Sequence, residues 1–356
     1  MVSLCILCGM NFSNKKIGTV VILTIFCLLP FFSLSAIALP LEPNANHLMR
    51  STTRIHLKEF PNAFNPSLIE HGEGFLLIFR YLPYPHNQPW ISNIGIVALN
   101  HLLSPVSKPQ ILKTRFQSSR IPSQSEDARV FSYRGRKFLI YNDNVDVVCP
   151  SYWDRRDLFI AELFCTQERT TLSAPLKLFC NEKLGQLWQK NWVPFEWNET
   201  LLLSYTLNPH EVLSPNLKNG ECYSCYWTNP PIHWDFGTLR GSTPALLIDG
   251  EYLAFFHSGR VASSTASWGY DLWHYFMGAY TFSSTPPFEI TKMTPLPIIA
   301  NDFYTPSNKE KRVIMPGGFV VRGSLIYLAY GKDDCEMWIA VLDKEELKKS
   351  LIALKP

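Results

Sequence analysis

The sequence predicts an all-β protein, a five-bladed β-propeller behind an N-terminal hydrophobic helix. The main observation is a hairpin pattern that recurs five times, with a polar or small start, an apolar run, a turn, a second apolar run and a polar end. Such repetition is typical of repeat architectures, and five four-stranded units of this size fit a five-bladed propeller. The composition, 13% aromatic and 18% charged, favours a well-buried, strand-rich core. The copies span 65–80, 126–143, 190–206, 240–258 and 315–334.

Each copy has a glycine or an asparagine at its turn, which is a strong short-range hairpin signal. The turn residues are Gly74, Gly135, Asn198, Gly250 and Gly323, so consecutive turns are 61, 63, 52 and 73 residues apart. Together these segments predict one propeller domain over residues 54–356. Further strands are predicted at 54–60, 95–100, 158–164, 275–282, 288–293 and 338–342, and a short helix at 344–354.

The N-terminal segment contains 22 residues without a charge, Ile17–Ala38, interrupted by Pro30. A stretch of this length can span a bilayer, and Lys15-Lys16 before it favours a cytoplasmic position for residues 1–16. Ala36-Ile37-Ala38 also fits a signal-peptidase site, so a cleaved signal peptide is the alternative. In either case residues 39–53 are expected to form a linker. The propeller would lie on the non-cytoplasmic side, as a single-pass membrane protein or as a secreted one.

The charge of the chain argues against a nucleic-acid partner, because the net charge is only +3 and the lysines and arginines are dispersed. The sequence has no phosphate-cradling P-loop and no dinucleotide-binding fingerprint. We therefore expect no organic cofactor. The oligomeric state stays open.

Six cysteines follow the N-terminal segment, and an even number permits disulfides in an exported domain. Cys222 and Cys225 have the CxxC spacing of zinc and redox sites, but a second ligand pair and a βαβ context are both lacking. We expect structural thiols or a disulfide, and no metal site. The six are Cys149, Cys165, Cys180, Cys222, Cys225 and Cys335.

Polar residues flank every predicted hairpin, and the inner strands of a propeller converge on one funnel, so these residues could meet in one pocket. An acid, several cations and amides together suit an anionic or sugar ligand. The alternative is that each residue only satisfies backbone groups at a strand end. The starts supply Asn65, Glu126, Asp127, Arg129, Lys190, Asn191, Arg240 and Ser242, and the ends supply Arg80, Asn142, Asp143, Tyr205, His257, Asp333 and Asp334.

Short motifs at the hairpins carry a family resemblance. They read NP at 65–66 with FR at 79–80, EDAR at 126–129, KN at 190–191, FH at 256–257, and MPGG at 315–318 with YGKDD at 330–334. Over roughly residues 60–350 they resemble, in order, the motifs of glycoside hydrolase family 130 and of the related β-1,2-mannosyl phosphorylases and transferases of glycosyltransferase family 108. Ala128 stands where the EDPR signature of that family has proline.

The resemblance implies a role for each matched residue. Asp127 takes the place of the general acid, Asn65 and Asp334 match positions that hold the mannosyl ring, and Arg80 and His257 match phosphate-binding positions. The ligand would be a mannose-containing oligosaccharide or glycan, with inorganic phosphate as a candidate co-substrate. Further substrate-binding candidates are Arg129, Lys190, Asn191, Arg240 and Asp333.

Several functions remain open on the sequence. An inverting phosphorylase needs only one catalytic carboxyl group, whereas an inverting hydrolase needs a second carboxylate to activate water. Asp143, Asp333 and Asp334 are the only hairpin-end candidates for that second group. The phosphate-binding positions favour phosphorolysis or mannosyl transfer over hydrolysis of β-mannosides. A non-catalytic glycan-binding propeller is the alternative from another functional class.

Overall fold

The computed structural model describes residues 43, 47–86, 91–115, 122–144, 155–166, 169–307 and 309–354. These residues are mostly β-strand, as predicted. The N-terminal residues 1–16 and the hydrophobic stretch 17–38 lie outside them. In the part of the chain that the structure describes, no helix has the length and the hydrophobicity that a bilayer crossing requires.

The described chain begins with strand β1 (Met49–Ile55), and three antiparallel sheets follow in chain order. The predicted hairpins form the first two strands of each sheet. The first sheet contains β2 (Ala63–His71), β3 (Gly74–Tyr81), β4 (Asn93–Leu99) and β5 (Gln110–Ile111). The second contains β6 (Glu126–Tyr133), β7 (Arg136–Asp143), β8 (Asp157–Cys165), β9 (Thr170–Leu172) and β10 (Leu176–Leu178). The third contains β11 (Val193–Trp197), β12 (Thr200–Leu207), β13 (His210–Pro215) and β14 (Cys222–Thr228).

The remaining strands form a ten-stranded sheet that consists of two antiparallel units. A short parallel pairing joins the units, from Trp273 opposite Lys311 to Tyr275 opposite Val313. The fourth unit contains β15 (Thr238–Gly241), β16 (Leu246–Ile248), β17 (Glu251–Ala262), β18 (Leu272–Ser283) and β19 (Ile290–Met293). The fifth contains β20 (Lys311–Arg322), β21 (Leu325–Lys332) and β22 (Glu336–Asp343), with β1 as its outer strand. The helices are α1 (Lys344–Ser350) and two 3₁₀ turns at Asn181–Lys183 and Thr265–Ser267, and β23 (Ile352–Ala353) pairs with β19.

The first strand begins earlier than the predicted 54–60, within the predicted linker 39–53, and overlaps the predicted strand only at residues 54–55. Strand β1 starts at Met49 and pairs antiparallel with β22 through Ile55 opposite Met337. Its sequence, MRSTTRI, has no apolar run, so the ladder to β22 rather than local hydrophobicity decides its conformation. The C-terminal helix ends at Ser350 instead of 354, because Leu351 is already extended and the chain continues into β23.

Five hydrophobic clusters lie between consecutive units. Ile78 of the first unit packs with Leu139 of the second, and similar clusters join the second to the third, the third to the fourth and the fourth to the fifth. Phe79 of the first unit packs with Ile339 of the fifth, which connects the two ends of the series. The innermost strand β2 contacts both β6 and β20. This arrangement is consistent with a propeller-like fold.

The described cysteines are free thiols, so the expectation of a disulfide is wrong for them and that of structural thiols holds. They are Cys165, Cys180, Cys222, Cys225 and Cys335. Burial raises the pKa of Cys222 to about 12, as expected for a thiol in an apolar cluster. Cys149 lies outside the described residues.

Candidate active site

Five candidate site residues have a left-handed backbone conformation, which re-aims their side chains, and Asn191 and Asp333 are two of them. The other three, Asn65, Asp127 and Asp334, have φ angles of 47°, 49° and 51°. Asn and Asp tolerate this conformation better than other non-glycine residues. Bulges shift the strand register between Phe64 and Ser67 and at the matching place in β6. Because a bulge turns a strand out of its regular alternation, equivalent residues of different units can point to one place.

The side chains of these three residues meet. Asn65 donates from Nδ2 to Oδ1 of Asp127 at 2.9 Å and to Oδ1 of Asp334 at 3.3 Å. Gly331 makes this approach possible, because a Cβ there would lie 2.1 Å from Oδ1 of Asn65. Lys311 donates from Nζ to Oδ2 of Asp334. Two carboxylates and one amide therefore share a small polar site with several hydrogen-bonding positions for the hydroxyl groups of a ligand.

The carboxyl group of Asp127 is ionised in the free protein. Burial alone would raise its pKa, but the guanidinium of Arg80, the hydrogen bond from Asn65 and the charges of Arg129 and Lys190 outweigh burial and lower the pKa. Arg80 Nη1 lies 3.5 Å from Oδ1 of Asp127. A general acid must carry a proton, so Asp127 can act as one only when a ligand changes this balance of charge.

Arg80 is also an ion-pair partner of Glu126. Its Nη2 donates to Oε1 of Glu126 at 2.6 Å, and Nε donates to Oγ of Ser92 at 2.9 Å. Arg156 Nη1 lies 3.1 Å from the same oxygen of Glu126. Only 11% of each side chain, Arg80 and Glu126, is exposed. The carboxylates therefore neutralise much of the charge that Arg80 could offer to phosphate.

Three other cationic side chains form no ion pair with a carboxylate of the described residues. Among the residues that the structure describes, no carboxylate oxygen lies within 4.0 Å of the charged nitrogens of Arg129, Lys190 or Arg240. Arg129 instead donates to the backbone oxygens of Ser242 and Asp127 and to Oδ1 of Asn191. Burial lowers the pKa of Arg129 to about 10, which leaves it charged at neutral pH. These three side chains, called here the cation cluster, suit an anion.

His257 lies beside the cation cluster but is neutral. Burial, followed by the charges of Arg129 and Arg240, lowers its pKa to about 3. Its Nδ1 is 2.5 Å from Oγ of Ser242, and its ring stacks on Tyr275 at 5.6 Å. His257 can offer a hydrogen bond to a ligand but no positive charge.

Two predicted candidates have structural hydrogen-bond partners. Asp333 accepts from the backbone N–H of Val313 at 2.8 Å and from Oγ of Ser307 at 2.9 Å. Asp143 accepts from Arg115 Nε at 2.8 Å and from Oγ of Ser125 at 2.7 Å. Both carboxylates are buried. Both carboxylates therefore make structural hydrogen bonds, and substrate binding by Asp333 stays a prediction.

A pocket of about 540 Å³ opens next to the cation cluster, and Lys190, Asn191 and Arg240 line it. Its other walls include Trp188, Trp273 and Tyr275, which the sequence patterns missed because they lie on a loop and on β18 rather than at hairpin ends. A cavity of about 600 Å³ lined by His71, Ala98 and Cys165 lies at the opposite ends of the strands. We place the candidate site at the smaller pocket, because residues of the cluster line it. No group of metal-ligating side chains is found in the described ranges.

Comparison with known proteins gives structural relatives only. No protein-family model matches the chain, and a search of curated proteins finds no relative. Among solved structures, β-1,2-mannobiose phosphorylase from Listeria innocua, in complex with β-1,2-mannobiose, is similar with a TM-score of 0.58 and 16% identity, over 85% of this chain and 93% of that one.

Two further structures are similar over most of their length. One is a protein of the glycoside hydrolase family 130 of mannoside phosphorylases, which contains hydrolases that target β-1,2-mannosidic linkages in Candida mannan. It is similar with a TM-score of 0.55 and 13% identity, over 92% of this chain and 95% of that one. A mannose phosphorylase from Leishmania mexicana, in complex with phosphate, has a TM-score of 0.53 and 10% identity, over 87% and 93%. The structural neighbours of this chain therefore include family 130 mannoside phosphorylases, and at this low identity the likeness shows a shared fold.

Proposed function

We propose that this chain is a carbohydrate-active enzyme on a closed five-bladed propeller, and that it acts on β-mannosides with phosphate or a phosphorylated sugar as co-substrate. The observation that carries the proposal is the position of Asp127. Its carboxylate accepts a hydrogen bond from Asn65, which also donates to Asp334. The positive charges of Arg80, Arg129 and Lys190 act on the same carboxylate. A sugar could thus bind at the hydrogen-bonding groups and an anion at the cations, both close to one carboxyl group.

The five hydrophobic clusters between the units support the proposal of a closed propeller. Each unit packs on the next, and the first packs on the fifth. Strand β1 completes the fifth unit from the other end of the domain. Closure would bring the starts of the innermost strands, where the bulges lie, to one centre.

The charge balance around Asp127 suggests how it obtains a proton. Arg80 and the hydrogen bond from Asn65 lower the pKa of Asp127 most, and Arg129 and Lys190 lower it further; a phosphate at the cation cluster would offset the charges of the last two. The added negative charge would raise that pKa, and Asp127 would take up a proton. A phosphate oxygen would then bond to the anomeric carbon as the glycosidic bond breaks. The proton of Asp127 would pass to the leaving oxygen.

The partners of the other carboxylates favour phosphate over water as the nucleophile. Hydrolysis with inversion needs a second carboxylate as a base. Glu126 is paired with Arg80 and Arg156, and Asp334 is paired with Lys311. Asp143 accepts hydrogen bonds from Arg115 and Ser125, and Asp333 accepts one from the backbone of Val313. Phosphorolysis and mannosyl transfer need no such base.

The location outside the cytoplasm remains a proposal that rests on the apolar stretch Ile17–Ala38. An uncleaved anchor would keep the protein in the membrane fraction after alkaline extraction. A cleaved signal would release it with a new N-terminus near residue 39. Recovery of the whole chain in the soluble cytoplasmic fraction would contradict both forms.

Non-catalytic glycan binding is the second candidate, and the ionised state of Asp127 favours it, since a carboxylate can bind sugar hydroxyls without transferring a proton. The substitution Asp127→Asn separates the two functions, because the amide keeps the shape but cannot act as an acid. An enzyme would still bind β-mannosides but lose about 100-fold or more of its turnover rate. A binding module would show no turnover in either form. Turnover that survives unaltered would remove Asp127 from the mechanism.

A further inference from the structure

We propose that the pocket bounded by Trp188, Trp273 and Tyr275 binds the sugar ring next to the mannosyl unit, with an apolar face of that ring stacked on an indole. This inference rests on the proposed function and assigns a site for the leaving or accepting sugar. The pocket volume of about 540 Å³ lies within the usual range for small ligands, about 300–1,000 Å³.

Exposed tryptophans are the first observation. The exposed fraction is 60% for Trp188 and 48% for Trp273, and both line the same pocket. Large apolar rings that remain in water beside a polar pocket are typical of a binding surface. The C–H face of a pyranose is flat and apolar, while its hydroxyl edge is polar, so it suits an indole ring with polar neighbours.

Continuity with the candidate active site is the second observation. The ring of Tyr275 stacks on His257 at 5.6 Å with 16° between the planes, and Trp273 meets Tyr275 edge-on at 6.4 Å. Arg240 Nη1 donates to the hydroxyl of Tyr275 at 3.5 Å. On the loop side, Lys190 Nζ lies 4.8 Å from the centre of the Trp188 ring. The aromatic walls thus extend outward from the residues that surround Asp127.

The fold holds these rings in place. Trp273 and Tyr275 are two residues apart on β18 and so lie on one face of that strand. Gly259 pairs with Tyr275 across the sheet, and a Cβ there would lie 2.9 Å from the tyrosine ring. The missing side chain leaves room for the ring to lie flat on β17. Trp188 is held by a parallel bridge to Arg156.

The residues that line the pocket offer different positions to the sugar and to the anion. The guanidinium and ammonium groups of Arg240 and Lys190 lie where the pocket meets the cation cluster, and Gln186 and Asn191 add neutral hydrogen-bonding groups. An uncharged ring against the indoles and an anion against the cations can therefore bind at the same time. Loss of an indole should weaken sugar binding and leave anion binding unchanged.

The test compares Trp188→Ala and Trp273→Ala with Trp227→Ala, a control whose tryptophan is 56% exposed on β14, away from the pocket. With β-1,2-mannobiose and phosphate, we expect either pocket variant to raise the KM for the disaccharide about tenfold, as for the loss of one stacked ring. The KM for phosphate should change less than about twofold, and the control should match the wild type in both.

A binding measurement gives a readout that does not depend on turnover. In an Asp127→Asn background, calorimetric titration should show that each pocket variant binds β-1,2-mannobiose about tenfold more weakly and binds mannose with unchanged affinity. Equal weakening of mannose and mannobiose, no weakening of either, or a tighter response to uridine diphosphate than to mannobiose would overturn the inference. A wild-type protein that neither binds nor converts any β-mannoside would overturn the proposed function as well, so the two failures are distinguishable.

Discussion

Nδ2 of Asn65 lies 2.9 Å from Oδ1 of Asp127, although 62 residues separate them along the chain. Both residues have left-handed backbones at the start of the innermost strand of their units. The hydrogen bond therefore joins equivalent positions of two repeated units. It also stabilises the charged form of Asp127, which contributes to the lowered pKa of that carboxyl group.

The close approach of Gly331 to Asn65 predicts a sensitive position. In Gly331→Ala the new Cβ would lie 2.1 Å from Oδ1 and 2.8 Å from N of Asn65, so Asn65 must move. We expect activity to fall about 100-fold, because displacements of about 1 Å at a site have such effects. Gly185→Ala is the matched control, since nothing lies within 4 Å of its Cβ position. Equal activities of the two variants would show that Asn65 does not position Asp127.

Arg80→Ala is expected to destabilise the fold. It breaks a buried pair with Glu126 and should cost about 3 kcal/mol in the free energy of unfolding. Arg136→Ala removes a pair in which the arginine is 57% exposed, and should cost no more than about 1 kcal/mol. Urea denaturation of both variants measures the difference. If the two variants have equal free energies of unfolding and only Arg80→Ala loses the dependence of its turnover on phosphate, Arg80 instead binds phosphate.

Lys190→Ala should weaken the binding of the anion and leave the binding of the sugar unchanged. Lys190 has no carboxylate partner within 4.0 Å among the described residues, so its charge is available to a ligand. Loss of one charged contact should raise the KM for phosphate about tenfold to 100-fold. Lys292→Ala, which removes a lysine paired with Glu251, is the control. A Lys190→Ala enzyme with an unchanged KM for phosphate would place the anion elsewhere.

Anion binding and the protonation of Asp127 should be coupled. In the free protein the pKa of Asp127 is lowered, so the carboxylate is ionised at neutral pH and would repel a sulfate that binds nearby. Protonation relieves this repulsion, so sulfate affinity should rise as pH falls through the raised pKa of the complex, by about tenfold for each unit of pKa shift.

In the free protein, burial and the charges of Arg129 and Arg240 lower the pKa of His257 to about 3, so its ring is neutral near pH 7. Arg129, with a pKa of about 10, stays charged. Isothermal titration with sulfate at several pH values should therefore give a sloping profile for the wild type and a flat one for Asp127→Asn. Parallel profiles for the two proteins would assign the proton to another group.

The repeated hairpins could be predicted from sequence because alternating apolar runs and glycine turns are local signals. Gly135, Asn198, Gly250 and Gly323 all have positive φ angles at the turns. The start of strand β1 was predicted too late in the chain, since Thr52 and Thr53 give no apolar pattern and their conformation depends on pairing with β22. The boundary of helix α1 depended likewise on the pairing of β23 with β19.

The site was only partly predictable for a related reason. Asn65, Asp127 and Asp334 were candidates because they lie at hairpin ends, in motifs that resemble those of family 130. Whether a charged residue faces a ligand or a partner is decided by distant residues. The sequence left open whether Arg80 and Asp333 bind a ligand or satisfy groups at a strand end. The structure pairs them with Glu126 and with the backbone of Val313, and ligand binding by either stays a prediction.

The most direct test of the account is phosphorus NMR of the purified domain with β-1,2-mannobiose and inorganic phosphate. We expect the phosphate resonance to decline as a mannose 1-phosphate resonance grows in equal amount, and we expect Asp127→Asn to slow this conversion about 100-fold or more. Release of free mannose at a rate that does not depend on phosphate would contradict the central claim, that Asp127 works beside an anion bound at the cation cluster.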